Sequence, residues 1–141
     1  MVNKYRSRFE RTLALSLQKA KVPFTYETKS YPVQLKVARV VCTECGSRDI
    51  ETKSVYTPDF FIGDYIVEAK GKLTAKDRKK YAAFVAQYPE IKYRFIFMRD
   101  NKIHRLSKTR YSDWATGIGV PYCIGKFSAK RMKEFKRGKD T

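Results

Sequence analysis

Apolar side chains recur at helical spacing through RSRFERTLALSLQKAK, residues 6–21. The stretch has no Gly or Pro and few β-branched residues, so it predicts a first helix. Glu10, Leu13, Ala14 and Leu17 fall at i, i+3, i+4 and i+7, on a single face. A carboxylate on an apolar stripe is unfavourable unless something compensates its charge. Glu10 therefore either lies at the edge of the stripe, in water or paired to Arg6, or meets a compensating partner.

Beyond the helix the pattern shortens to that of strands. FTYET, from Phe24, and YPVQLKVARVV, from Tyr31, have strand composition, and Pro32 suits only the start or an edge. CTECGSRDIETKS, residues 42–54, reads as a polar loop. Residues 59–62 and 65–70 predict a hairpin around Gly63-Asp64. A helix follows from about Thr74, opened by a capping box, Thr74-Ala-Lys-Asp77, with Asp in place of the usual Glu or Gln. Tyr81, Phe84 and Val85 supply its buried face, and Tyr88-Pro89 stops it. Tyr93–Met98 reads as a buried strand, with Lys102-Ile-His-Arg-Leu106 as its hairpin partner across Asp100-Asn101. A short helix near Ser112–Thr116 ends at Gly117, and a basic helix begins at Ser128. Strands and helices alternate without an internal repeat or a clear linker, which predicts one α/β domain over residues 1–141.

Charge narrows the choice of partner. The 141 residues carry 31 Lys+Arg against 14 Asp+Glu, a formal charge of +17. Self-repulsion on that scale weakens a compact chain, so a polyanionic partner is expected, nucleic acid first. The basic residues are spread along the chain rather than gathered on one amphipathic helix, which argues against a membrane surface. No stretch approaches the roughly 20 apolar residues of a transmembrane helix. MVNKYRSRFER has no apolar core, so no signal peptide is expected. Three cysteines, two of them in one CxxC, suit a reducing compartment better than a disulfide framework.

The chemistry concentrates in YTPDFFIGDYIVEAKG, residues 56–71. In a strand, residues two apart share a face, so Ile66, Glu68 and Lys70 point one way while Val67 and Ala69 point into the core. The predicted hairpin lets Asp59 approach Glu68. Two close carboxylates repel unless a cation sits between them, and hard oxygen donors suit Mg²⁺ or Mn²⁺. A nearby ammonium can orient an attacking water while the metal neutralises charge on a phosphate. Acid, acid and lysine in a basic protein describe phosphodiester hydrolysis. A surface hairpin with weak charge pairs accounts for the spacing alone about as well.

Pro58-Asp59 followed by Glu68-Ala69-Lys70 fits the PD-(D/E)xK nuclease pattern. YRSRFE (5–10), YTPDF (56–60), EAKG (68–71), DRKKY (77–81) and QYPE (87–90) together resemble the phage endonuclease I family, from about Tyr5 to about Phe135. The resemblance implies a restriction-endonuclease-like core, a mixed sheet flanked by helices, in a segment-swapped homodimer with two composite active sites. It implies Mg²⁺-dependent resolution of Holliday junctions and other branched DNA. Mn²⁺ would substitute, with two ions per site, and the enzyme would act in the host cytoplasm. Asp59 and Glu68 then resemble the metal-binding carboxylates, with the Ala69 carbonyl a further ligand and Lys70 the lysine attending the water. Glu10 resembles the glutamate delivered from the other chain, completing the metal shell. The arm ahead of the first helix is short, which puts branch selectivity in doubt. The CTECGS insertion, within about 41–54, falls in the connection that would bridge the dimer. A single-strand-preferring or weakly selective nuclease of the same fold is the alternative, and a non-catalytic branched-DNA-binding protein the alternative of another class.

Cys42 and Cys45 have the spacing and following glycine of a zinc knuckle, but supply only two of four ligands. A second copy across a dimer axis, or Cys123 or His104, could complete a Zn²⁺ site; otherwise the thiols are simply reduced. His104 is otherwise structural or exposed. Arg6, Arg8, Lys72, Lys76, Arg78, Lys79 and Lys80 flank the metal-site motif and are candidates for phosphate contacts, or else form a solvated helix face. KRMKEFKRGK, in the basic tail at about 130–141, is a second contact or a soluble tail. No base-reading motif is evident, which favours recognition by shape.

Overall fold

The protein is described here by a computed structural model of residues 4–44 and 46–139; side-chain surroundings are described for all of these except 37–40, 42, 47–51, 138 and 139. Helix α1 (Arg8–Lys19) is opened by Ser7, whose side chain accepts from the Glu10 N–H at 3.1 Å. Its stripe of Phe9, Glu10, Leu13, Ala14 and Leu17 is buried throughout. The chain then makes a short strand, β1 (Thr25–Tyr26), before two long strands, β2 (Tyr31–Cys42) and β3 (Gly46–Tyr56), which pair antiparallel as a separate ribbon.

The expected polar loop at 42–54 is thus mostly strand. The register sets Lys36 opposite Glu51 and Arg39 opposite Asp49, so a polar segment forms a ladder with opposite charges at facing positions. Polarity had argued for a loop, but a ribbon outside the main sheet need not bury a face.

Strands β4 (Phe60–Ile62) and β5 (Tyr65–Lys70) form the predicted hairpin. Gly63 sits at φ +58° in its two-residue turn, a conformation that disfavours any Cβ. Helix α2 (Ala75–Gln87) carries the predicted capping box and crosses over to β6 (Lys92–Phe97), which lies parallel to β5. Helix α3 (Tyr111–Gly117) leads to β7 (Tyr122–Ile124), parallel to β6, and α4 (Ala129–Lys139) follows. The main sheet runs β1-β4-β5-β6-β7, antiparallel at one side and parallel at the other. The anticipated hairpin partner at 102–106 is no strand; only an isolated bridge joins Lys102 to Arg110. Both edges of β6 are already taken by β5 and β7, so no edge remains for it.

Both faces of β5 are buried, not one. Val67 and Ala69 pack with Leu13, Leu17, Ile96 and Phe135. Ile66 packs with Tyr81, Phe84, Phe95 and Phe97 on the other side. A strand covered on both faces reads as a continuous apolar run, which explains Tyr65-Ile-Val. The basic C-terminal segment is anchored through Phe135, whose ring meets those of Tyr65 and Phe127 at 5.4 and 5.3 Å.

Candidate active site

The site forms where the β4–β5 hairpin meets α1 and α2. The Lys70 carbonyl accepts from the Met98 N–H at 2.9 Å, so Lys70 turns its backbone groups toward the β6 side. Its neighbour Ala69 must present them the other way, and the Ala69 N–H donates to Asp59 Oδ2 at 2.9 Å. In a strand the N–H and C=O of one residue point to the same side, so the Ala69 carbonyl also faces the Asp59 side. The Asp59 N–H in turn donates to Glu68 Oε2 at 3.1 Å. The two carboxylates are therefore held reciprocally through each other's backbone. The Asp59 carbonyl accepts from the Glu27 N–H at 2.9 Å, fixing this residue from outside the hairpin as well.

Glu10 joins them from α1. It is 5% exposed, and its two oxygens accept from the Tyr26 hydroxyl and the Ser7 hydroxyl, each at 3.2 Å. Arg6 does not pair with it; the Arg6 Nε lies 2.8 Å from Glu27. Glu10 is thus neither at a wetted edge nor bound to Arg6, but lines the same cavity as Asp59 and Glu68. In the single chain it lines that cavity together with the chain's own Asp59 and Glu68.

Burial, followed by the charges of Glu68 and Glu10, holds Asp59 well above the usual carboxylate range. Burial raises Glu68 too, although hydroxyls of Tyr81 and Tyr56, the Asp59 N–H and Lys70 favour its charged form. The Tyr81 hydroxyl donates to Glu68 Oε1 at 2.9 Å. Lys70 is engaged elsewhere: its Nζ lies 3.6 Å from Asp77 Oδ2 and 5.7 Å from the centre of the Tyr81 ring. Asp77, read from sequence only as a capping residue, is also the counterion of Lys70. Burial opposes its charge, but the Thr74 N–H and hydroxyl and Lys70 together hold its carboxyl below the usual range.

These groups open onto a cavity of about 250 Å³. Arg6, Lys72 and Lys80 line it, whereas Arg8, Lys76 and Lys79 are exposed and do not. Arg78 donates to the Leu73 and Ile103 carbonyls at 3.2 and 3.5 Å, a structural tie rather than a free cation. Tyr26 escaped sequence reading: its short strand carries no periodicity, and only pairing of Tyr26 with Phe60 brings it to Glu10.

A divalent ion fits the donor set. Crowded buried carboxylates with raised pKa values are what a cation would relieve. Among the described residues no group of three or more His, Cys, Asp or Glu is placed to hold a metal ion by itself. The zinc expectation lies outside the described residues, which exclude Cys45 and the side chain of Cys42. Cys123 is a free thiol near Ser128, and His104 is exposed.

No described helix is long and apolar enough to cross a membrane. No curated protein matches the sequence. Comparison with protein families matches residues 1–138, essentially the whole chain, to the family described as Phage endonuclease I. With that coverage the protein is an endonuclease, its substrate is DNA, and the chain belongs to the phage endonuclease I family.

Proposed function

We propose that the protein is a Mg²⁺-dependent, structure-selective endonuclease that resolves Holliday junctions and other branched DNA, built on a restriction-endonuclease-like core and acting as a homodimer in the host cytoplasm. The observation that carries this is the reciprocal pair: Ala69 N–H on Asp59 and Asp59 N–H on Glu68, with Lys70 two residues on. Asp59, Glu68 and the Ala69 carbonyl would hold the ion, which supplies neutralisation of charge at the phosphate. Glu10 adds a third carboxylate to the same cavity. Lys70 orients the attacking water and favours loss of its proton as the water oxygen bonds to phosphorus and the P–O bond to the leaving oxygen breaks. Arg6, Lys72 and Lys80 neutralise flanking phosphates, which positions the backbone without reading its bases.

A dimer fits paired nicks across a junction. Opening the turn that joins β2 to β3 would hand α1, with the same contacts, to a second chain, the exchange that the family resemblance implies. The test of the activity compares four-way, single-stranded and linear duplex DNA with Mg²⁺, Mn²⁺ or EDTA. Metal-dependent nicking at the four-way branch is the expected result. Absence of cutting with either metal overturns the reading, and faster cutting of single strands removes its branch selectivity.

A further inference from the structure

A residue on α2 touches both halves of the reaction centre. Tyr81 is completely buried, with its ring 5.5 Å from Tyr56 and 5.6 Å from Phe95. Phenylalanine would fill that space equally well, so the hydroxyl is what distinguishes the residue. It donates to Glu68 Oε1 at 2.9 Å, while the face of the same ring lies under the Lys70 ammonium, 5.7 Å away. The other oxygen, Glu68 Oε2, is already held by the Asp59 N–H at 3.1 Å. Each carboxylate oxygen thus has one fixed donor, and the plane of the group is set before any ligand arrives.

We propose that Tyr81 is a positioning residue for the metal site: its hydroxyl and the Asp59 N–H clamp the two oxygens of Glu68 so that their remaining lone pairs face the ion. The inference rests on the metal-nuclease reading above. Buried next to this clamp, the Tyr56 and Tyr93 hydroxyls share a hydrogen bond of 2.6 Å, and Tyr56 also favours the charged form of Glu68. The chain therefore surrounds its metal carboxylate with phenols, which donate a hydrogen bond without adding a competing charge. Groups that orient a metal ligand in this way typically change metal affinity by about 10–100-fold when removed.

The test is calorimetric titration of the full chain with Mn²⁺, without DNA, for wild type and Tyr81→Phe. The variant should bind Mn²⁺ about tenfold more weakly. Its unfolding midpoint in EDTA reports that it is folded. On four-way DNA, half-maximal cutting should need correspondingly more Mg²⁺, while the rate at saturating Mg²⁺ stays close to wild type. Equal Mn²⁺ affinity in a folded Tyr81→Phe protein overturns the clamp, as does a lower saturated rate at unchanged affinity. Should Tyr81→Phe not fold, Tyr81→Met, which also lacks the hydroxyl, carries the test: weaker Mn²⁺ binding supports the clamp, and unchanged binding overturns it. A wild type that binds no Mn²⁺ would instead defeat the metal reading itself, a different outcome from either.

Discussion

Asp59 and Glu68 are locked through each other's backbone: Ala69 N–H holds the Asp59 side chain at 2.9 Å, and the Asp59 N–H holds Glu68 at 3.1 Å. Asparagine at position 59 can still accept from Ala69 but offers a weaker metal ligand. Asp59→Asn should cut four-way DNA on the order of 10²–10³-fold more slowly. Binding measured by gel shift in EDTA should persist. The same variant should be more stable than wild type without metal, by roughly 0.5–2 kcal/mol in denaturant titration near neutral pH, because asparagine is spared the cost of taking up a proton on folding. Loss of binding together with cutting would instead point to a structural role.

The same carboxylates set a pH dependence. Folding raises the Asp59 pKa above its model-compound value of 3.8, and that of Glu68 moves the same way. The folded state then holds more protons than the unfolded state above about pH 4, so their contribution to stability is full below that pH and is lost as pH rises. In EDTA, the wild type minus Asp59→Asn stability difference should become more unfavourable to wild type from pH 5 to pH 8. Saturating Mg²⁺ should abolish that trend. A difference that is flat in EDTA would show that the pair titrates normally.

The composition of the site is open to a mixing experiment. Glu10→Ala and Lys70→Ala chains are each inactive if both residues act in the same site. Co-expressed, they should recover nicking if α1 is exchanged, because one of the two sites regains both residues. Without recovery, Glu10 serves its own chain, as in the closed structure.

The basic residues divide by geometry. Lys80 lines the cavity, and its ammonium lies 5.5 Å from the centre of the Tyr56 ring, whereas Lys79, one residue earlier, is exposed and outside it. Lys80→Ala should weaken DNA binding across substrates and reduce the slope of log affinity against log salt by about one unit. Lys79→Ala should leave the slope nearly unchanged. Equal slopes for the two variants would place the DNA path elsewhere.

The placement of Asp59, Glu68 and Lys70 was legible because it is local. A two-residue turn at Gly63-Asp64 and the period of a strand suffice to bring Asp59 to Glu68 and to place Lys70 two residues on. The capping box at Thr74 and the apolar face of α1 are equally short-range, and the structure has both. The polar stretch at 46–56 was not legible, because its polar composition reads as loop and its strand shows only in pairing with β2. The segment at 102–106 was misjudged for the converse reason: its composition allowed a strand, but β6 had no edge left to pair with.

Sequence by itself determined the spacing that groups Asp59, Glu68 and Lys70, the net charge that calls for a polyanion, and a membership that spans the chain. Only the tertiary structure decided what surrounds the triplet. Glu10 reaches the cavity because α1 packs onto the face of β5 that carries Val67 and Ala69; Tyr26 reaches Glu10 through an edge strand; Tyr81 and Asp77 reach Glu68 and Lys70 from the crossover helix. Apart from Lys70 and Asp77, seven positions apart, these contacts join residues distant in sequence. Their spacing along the chain carries no trace of the contact, which exists only once the apolar faces of separate elements have been buried against one another.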